Sequence, residues 1–302
     1  MSEICISIFM LTYNQEDYIA QAIEGVLMQK TDFSIQLVIG EDCSTDNTRD
    51  IVKDYAQKYP DKIRLILNET NMGLIVNYVK TFAQCTGKYV AICDGDDFWI
   101  DPFKLQKQVD FLEEHPDYAI VYTNNKNLMP SGDIVISDKK DNLATTTFDE
   151  LVFENYIPSV TALFRNKQLP ENMTVWIQQF PYGDWPTYLW ITVGGDKIYF
   201  MEDITAVYRK DIGISTKLRK RLSRMGEVNL NIITQIFNDP NFTAKKFIIK
   251  ESLLKHRLGI TASYFRENKF SQSLKVACLL FGQIPLKVLK LYFYLLRRII
   301  LK

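Results

Sequence analysis

The first hundred residues alternate between two hydrophobic patterns. Apolar runs of strand length lie at Ile4–Leu11, Ile35–Ile39, Ile63–Leu67 and Tyr89–Cys93, the last of them continuous. Between them, apolar residues recur at the helical period, as in Ile19, Ala22, Ile23, Val26 and Leu27 within Gln15–Gln29. The next such stretch carries Ile51, Val52 and Tyr55, and a third carries Leu74, Val76 and Phe82. Asn14 or Gln15 is expected to open the first helix and Ser44 or Thr45 the second, as residues that satisfy free backbone amides. Strands alternating with helices predict right-handed βαβ units and a mostly parallel α/β sheet with helices on its faces.

The second hundred residues are less regular. Helices are expected over Phe103–Leu112, Phe148–Tyr156 and Tyr188–Val193. Strands are expected over Ala119–Tyr122, Ser159–Phe164 and Ile198–Met201, with Asp133–Ser137 part of a hairpin. Asp101 before Pro102 reads as an N-cap with proline at the first helical position.

Polar residues gather where the strands end. The first strand runs into Tyr13 and Asn14, the second into Glu41 and Asp42, and the fourth into Asp94-Gly95-Asp96-Asp97. Parallel strands bring all these tips to one edge, where open α/β sheets bind ligands. Asp94 and Asp96 are two apart, so in extended geometry they point the same way, and Gly95 allows close approach. Crowded carboxylates suit a hard divalent cation, Mn²⁺ or Mg²⁺, and Mg²⁺ commonly shares its ligands with substrate phosphates. The rival reading is a polar loop capping the helix near Pro102, which accounts for Asp101 but not for the three upstream carboxylates. An EF-hand fails, because a loop starting at Asp94 would put Phe98 at a ligand position and Trp99 where glycine is needed.

Composition narrows the class. The 302 residues are 47% hydrophobic and 13% aromatic, enough for a substantial core. The five cysteines form no CxxC pair or regular framework, which points to reduced thiols and a cytoplasmic setting. The opening residues run straight into a strand, unlike a signal peptide. A first turn without GxGxxG argues against a dehydrogenase, and two histidines outside any site-like context argue against a serine hydrolase. The net charge of zero hides a division. From Lys217 onward 18 basic residues stand against 4 acidic ones, leaving 18 basic and 32 acidic in the rest.

The order Thr-Tyr-Asn, Glu-Asp-Cys-Ser-Thr-Asp, Asn-Met-Gly, Gly-Lys-Tyr and Asp-Gly-Asp-Asp resembles the inverting glycosyltransferases of family 2, from Ile4 to about Tyr208. That resemblance implies a GT-A fold over residues 1–214, a nucleotide-sugar donor, most simply a UDP-sugar, and a glycan or lipid-linked glycan acceptor. It implies that Tyr13 packs against the base and that Asp42 accepts a hydrogen bond from it, with Asn71–Gly73 close to the nucleotide. Asp96 and Asp97 match the metal and ribose ligands, with Asp94 in support. Asp184, in Pro-Tyr-Gly-Asp-Trp-Pro, matches the general base, its alternative being an N-cap near Pro186, and Tyr182 and Trp185 beside it suit a sugar-stacking platform or the core packing usual for such aromatics. If the loop after Tyr208 closes over the diphosphate, Lys210 or Arg209 would neutralise its charge and Asp211 would touch the metal. Glu41 and Cys43 depart from the family's commoner aspartate and glycine, and Lys210-Asp211-Ile212-Gly213 stands after Tyr208-Arg209 where the family often has a histidine. The alternatives are a sugar-phosphate nucleotidyltransferase, which would want a glycine-rich loop after the first strand, and a non-catalytic nucleotide-sugar binder, which would not need an intact carboxylate trio.

The remainder, residues 215–302, reads as a basic helical region. Lys217–Arg224 packs five cations into eight residues, and Phe281–Lys302 mixes Lys287, Lys290, Arg297, Arg298 and Lys302 into a helical apolar pattern. A spanning helix needs ~20 predominantly apolar residues with few charges. The segment fits a helix lying on the inner leaflet of a membrane, or one packed on the body of the protein or a homodimer partner. It carries no nucleic-acid motif. The expected setting is cytoplasmic, peripheral on the cytoplasmic face.

Overall fold

The computed structural model describes residues 5–137, 143–213 and 220–300. Ile4, Lys217, Arg219 and Lys302, used in the expectations above, lie outside the described residues, as does the side chain of Arg298. The fold is α/β and GT-A-like, followed by C-terminal helices. Contacts divide the chain into one unit of Met1–Leu151 with Asn155–Gly213 and a second of Val152–Glu154 with Ile214–Lys302.

The first unit is built on one sheet. Its parallel part is β3 (Ile63–Leu67), β2 (Ile35–Glu41), β1 (Ile6–Thr12) and β4 (Tyr89–Ile92), in that order. All seven residues of β1 are buried, as expected of a strand flanked on both edges and both faces. Helices α1 (Ile19–Leu27), α2 (Thr48–Lys58) and α3 (Leu74–Phe82) connect these strands. Ile8, Met10, Ile39 and Ala91 from the sheet and Ile19, Ile23 and Val26 from α1 share the main core cluster.

Parallel order stops at β4. Beyond it come β9 (Leu163–Arg165), β6 (Tyr118–Leu128), β10 (Lys197–Arg209) and β5 (Phe98–Trp99). β9 is antiparallel to both β4 and β6, while β6 and β10 are parallel. β7 (Ile134–Ile136) pairs with β6 as the expected hairpin, and β8 (Thr145–Thr146) pairs with β10. Helices α4 (Lys104–Glu114), α5 (Phe148–Leu151), α6 (Glu171–Ile177) and α7 (Asp184–Thr192) complete this unit.

Several boundaries differ from the sequence expectation. The helix expected over Phe148–Tyr156 stops at Leu151, because Val152–Glu154 belongs to the second unit, where the Val152 carbonyl accepts a bond from Ser252 Oγ at 2.6 Å. Ser159–Phe164 is a 3₁₀ turn followed by a strand, since Thr161 Oγ1 donates back to the Pro158 carbonyl at 2.8 Å. The strand at Ile198 continues to Arg209 through register shifts between Met201 and Ala206, which bring it alongside Trp99. The expected start signals also shift. α1 begins at Ile19, α2 at Thr48 and α4 at Lys104, with Asp46 Oδ1 accepting from Thr48 N and Asp101 Oδ1 from Phe103 N. Of the cysteines, Cys85 and Cys93 are buried, Cys5 and Cys43 half-buried and Cys278 exposed.

One close contact fixes the acidic loop against the core. A Cβ at Gly25 of α1 would lie 2.9 Å from the Trp99 amide nitrogen, so only glycine lets α1 sit on β5. Trp99 Nε1 donates to the Val160 carbonyl at 2.7 Å, and Lys104 Nζ lies 4.4 Å from the centre of the Trp99 ring.

The second unit contains α8 (Leu222–Asn238), α9 (Lys246–Arg266), α10 (Phe270–Phe281) and α11 (Pro285–Ile300). Among the described residues no helix is long and apolar enough to cross a membrane.

Candidate functional site

The parallel strands carry their tips to one edge, and each tip has its own local support. After β1 the backbone turns at Asn14 with a φ of 51°, and after β2 it turns at Cys43 with a φ of 59°. Such left-handed turns are rare outside glycine and point to a constraint. Here the constraint is a clasp between the two tips. Asn14 N donates to Ser44 Oγ at 3.0 Å, and Thr45 N donates to Asn14 Oδ1 at 2.8 Å. Tyr13 stands beside this clasp with 44% of its surface exposed.

Glu41, expected to face a nucleotide, has a different duty. It is fully buried, with Oε2 at 2.5 Å from Arg49 Nε and Oε1 accepting from Ser44 N at 2.6 Å. Both oxygens are spent on holding the second tip in place.

Asp42 organises the third tip. Its Oδ1 accepts from Met72 N and Asn68 Nδ2, each at 2.9 Å, and its Oδ2 accepts from Gly73 N at 2.9 Å. A carboxylate has about four acceptor positions, so about one remains for a ligand. Asn71 Oδ1 also accepts from Gly73 N, and Gly73 takes a φ of 84° that suits glycine. Behind them, Asn68 Nδ2 bonds Asn77 Oδ1 at 3.0 Å and Asn77 Nδ2 bonds the Gly40 carbonyl at 2.9 Å. This buried amide network is not visible in sequence, because it forms only when the β2 tip, Asn68 and α3 pack together.

The acidic loop splits its three carboxylates. Asp97, expected as a metal ligand, is 3% exposed, and its Oδ1 accepts from the Arg209 amide at 2.8 Å. It anchors β10 to the loop. Arg209 in turn donates to the Asp96 carbonyl at 2.6 Å, with its guanidinium 4.8 Å from the Tyr18 ring centre and 4.7 Å from that of Phe98. Arg209 therefore braces the loop, and its charge is held between two rings. Asp96 Oδ2 points at the Gly213 turn, where an added Cβ would lie 3.0 Å away. Burial raises the Asp96 carboxyl above its ordinary range, against the pull of Arg209.

Asp94 is the least compensated group. Among the described residues its buried Oδ1 has no hydrogen-bond partner. Burial, followed by the charges of Asp96 and Asp184, pushes its carboxyl up to about 8. Beside it Thr12 Oγ1 and Gln15 Oε1 are likewise buried without a partner, and a Cβ at Gly95 would meet them at 3.0 and 2.4 Å. A concentration of oxygens without donors at one strand tip is the environment a hard cation relieves. Among the described residues no three acidic, cysteine or histidine side chains form a complete metal site. The fit is to a cation that takes its remaining ligands from phosphate and water.

Asp184 opens α7 and comes into this field from ninety positions further along the chain. Its Oδ2 accepts from Asn155 Nδ2 at 2.9 Å. Its charge acts on Asp94, Tyr78 and Tyr188. The approach is made by Gly183, where a Cβ would lie 2.9 Å from the Tyr78 ring, and by a Tyr78 Oη to Thr187 Oγ1 bond at 3.0 Å. Tyr188, one helical turn after Asp184, has a fully buried hydroxyl with no partner among the described residues. Tyr78, Tyr188 and Asn155 had no sequence signal, because their meeting depends on α3 packing against α7. Trp185, expected as a stacking surface, is 1% exposed, and its Nε1 donates to the Leu151 carbonyl at 2.9 Å. It is a core residue. Tyr182 is half-buried.

Beyond the acidic loop, Tyr18, Leu128, Met129, Pro130, Lys210 and Asp211 line a groove of about 390 Å³. Asp211 takes a φ of 63° and Gly213 one of 83°, which together turn the chain back toward Asp96.

A GT-A-like sheet with a row of polar strand tips at one edge defines the class, and the sequence agrees with it. Residues 7–167 match the model of glycosyl transferase family 2, and the chain belongs to that family. It is 32% identical over 209 residues to the uncharacterized protein Rv1520 of Mycobacterium tuberculosis, covering 68% of this chain and 58% of that one. It is 29% identical over 204 residues to a Bacillus subtilis candidate teichuronic acid biosynthesis glycosyltransferase, TuaG, covering 68% of this chain and 78% of that one. Among solved structures, S. aureus TarS 1–349 in complex with UDP-GlcNAc superposes with a TM-score of 0.62 at 19% identity, covering 97% of this chain and 90% of that one. At that identity the likeness shows the fold.

Proposed function

We propose that this chain is an inverting glycosyltransferase that moves a sugar from a nucleoside-diphosphate donor, most simply a UDP-sugar, to a hydroxyl of a glycan or lipid-linked glycan. The observation that carries the reading is that the charge of Asp184 acts on Asp94, at the end of a row of strand tips that includes Tyr13 and Asp42. Family membership supports the transfer, and the named glycosyltransferase relative supports a cell-envelope glycan as acceptor. TarS was solved with UDP-GlcNAc, and a Pyrobaculum calidifontis mannosyltransferase of the same fold was solved with GDP-Man and Mn²⁺.

In this reading Tyr13 stacks on the base, and the remaining acceptor position of Asp42 takes its N–H. Asn14 and the Asn71–Gly73 turn shape the pocket wall, with Glu41 behind them. Asp96, with Asp94 beside it, would hold Mn²⁺ or Mg²⁺, and the bound cation supplies neutralising charge for the departing diphosphate. Asp184 is the general base. It takes the proton of the acceptor hydroxyl as that oxygen attacks the anomeric carbon from the face opposite the diphosphate. The new glycosidic C–O bond forms as the bond to the diphosphate oxygen breaks, through a transition state of oxocarbenium character. One displacement inverts the anomeric centre. Asn155 fixes the base's orientation by donating to its Oδ2.

A thermal-shift titration with UDP- and GDP-sugars, with and without Mn²⁺, tests donor and cation together. Asp96→Asn is expected to remove the Mn²⁺-dependent part of nucleotide binding. Asp184→Asn is expected to keep nucleotide affinity and lower transfer by at least about 10²-fold, the usual contribution of a positioned base. Full transfer by the Asp184 variant would place the base elsewhere.

A further inference from the structure

Helices α10 and α11 present a joint surface that the transfer reading does not use. On α11, Val288 and Leu295 point inward, 4% and 3% exposed. The opposite face carries Leu286 and Phe293, each 72% exposed, flanked by Leu289 and Leu296. These four recur at intervals of three and four, so they form one stripe. Lys287, Lys290 and Arg297 lie along the other flank of the same exposed face. On α10, Leu274, Cys278 and Phe281 are exposed at the same spacing. An apolar groove of about 190 Å³ runs between the helices, lined by Leu274, Cys278, Phe281, Val288, Leu289 and Tyr292. An uncovered surface of this kind marks a contact site.

The charges identify the occupant. No acidic residue follows Glu267, while seven lysines and arginines do. Lys269 pairs with Glu267 at 2.7 Å, but Lys275, Lys287, Lys290 and Arg297 form no ion pair among the described residues. A second copy of this face would bring cations against cations with no acid between them. A nucleic acid would leave the leucine and phenylalanine stripe in water. An anionic lipid surface satisfies both halves, taking the apolar stripe below the headgroups and the cations among them. We propose that α10 and α11 together form a docking face for anionic lipid bilayers, with the groove between them receiving one hydrocarbon chain. The helices would lie on the bilayer; among the described residues no helix is long and apolar enough to cross it. The proposal is independent of the transfer reading.

Vesicle flotation of the full chain tests it, using phosphatidylcholine alone and phosphatidylcholine with added phosphatidylglycerol. Binding to the anionic vesicles is expected to be at least about tenfold stronger and to weaken with salt. Lys287→Gln with Lys290→Gln is expected to lower anionic-vesicle binding by about 25-fold, near fivefold per cation. Leu289→Gln with Phe293→Gln is expected to lower it further, and a matched melting curve shows whether each variant is folded. Equal binding of the unaltered chain to both vesicle types would overturn the proposal without any variant. So would absence of vesicle binding together with a concentration-dependent dimer that the leucine and phenylalanine substitutions dissociate. Nucleotide binding measured on the same samples reports separately on the transfer site.

Discussion

Lys104 gives the sharpest test of how the acidic loop is supported. Its side chain is fully buried beneath Trp99, and Nζ donates to Gln108 Oε1 at 2.7 Å. Burial pushes its ammonium down to about 7 from an ordinary 10.5, outweighing the opposite pulls of Cys93 and Asp101. The unfolded chain therefore binds a proton that the folded chain has lost between about pH 7 and 10.5, and stability must rise with pH across that window. At 1.36 kcal/mol per unit, the full difference is about 5 kcal/mol, of which about 2 kcal/mol falls between about pH 7 and 9. Lys104→Met keeps most of the volume and removes the titration. It also leaves Gln108 Oε1 unpaired, a pH-independent loss of about 1–3 kcal/mol. Asp94, whose raised carboxyl makes stability fall as pH rises toward about 8, is present in both proteins and cancels in the difference. The assay is thermal or urea unfolding of both proteins at several pH values without metal. Between about pH 7 and 9 the unaltered chain should gain about 2 kcal/mol on the variant, or roughly 4–8 °C in Tm. Parallel curves would refute the argument, because they would mean that Lys104 keeps its proton in the fold.

Three further outcomes follow from particular contacts. Glu41→Gln removes a buried charge from Arg49 and should cost about 2–3 kcal/mol in urea unfolding; a large loss of nucleotide affinity at unchanged stability would return Glu41 to the ligand surface. Gly183→Ala sets a methyl 2.9 Å from the Tyr78 ring and should lower transfer more than nucleotide binding, read as a fall in kcat at similar donor KM. Gly25→Ala drives a methyl into the Trp99 backbone and should cost about 1–3 kcal/mol as overpacking, with nucleotide binding weakened because the acidic loop runs directly into β5.

Much of the donor half was legible in the chain because the information there is local. A strand of a parallel sheet reads as a mostly apolar run, and Ile63–Leu67 falls where the run falls, with Arg64 and Leu67 exposed because β3 ends the sheet. β1, β2 and β4 differ from their runs by a few residues at the ends, where pairing with a neighbour decides the last hydrogen bond. Helix starts were less legible. Asn14, Ser44 and Thr45 have the chemistry of caps, but they spend it on one another across two strand tips. A side chain that can bond its own helix or a neighbouring loop gives the same sequence signal in both cases.

By itself the sequence determined the alternation of strands and helices, the gathering of Tyr13, Asp42 and Asp94–Asp97 at strand ends, and the separation of an acidic body from a basic tail. Each follows from periodicity or composition, which are properties of the linear chain. Only the tertiary structure decided which carboxylate does what. It turned Asp97 and Glu41 inward, gave Asp42 a turn to hold, and set Asp184 in the field of Asp94. It also showed that α10 and α11 pair to make one uncovered face. The physical reason is common to all of these. The role of a polar side chain is fixed by the donors, acceptors and charges that packing brings to it, and those come from positions far away along the chain.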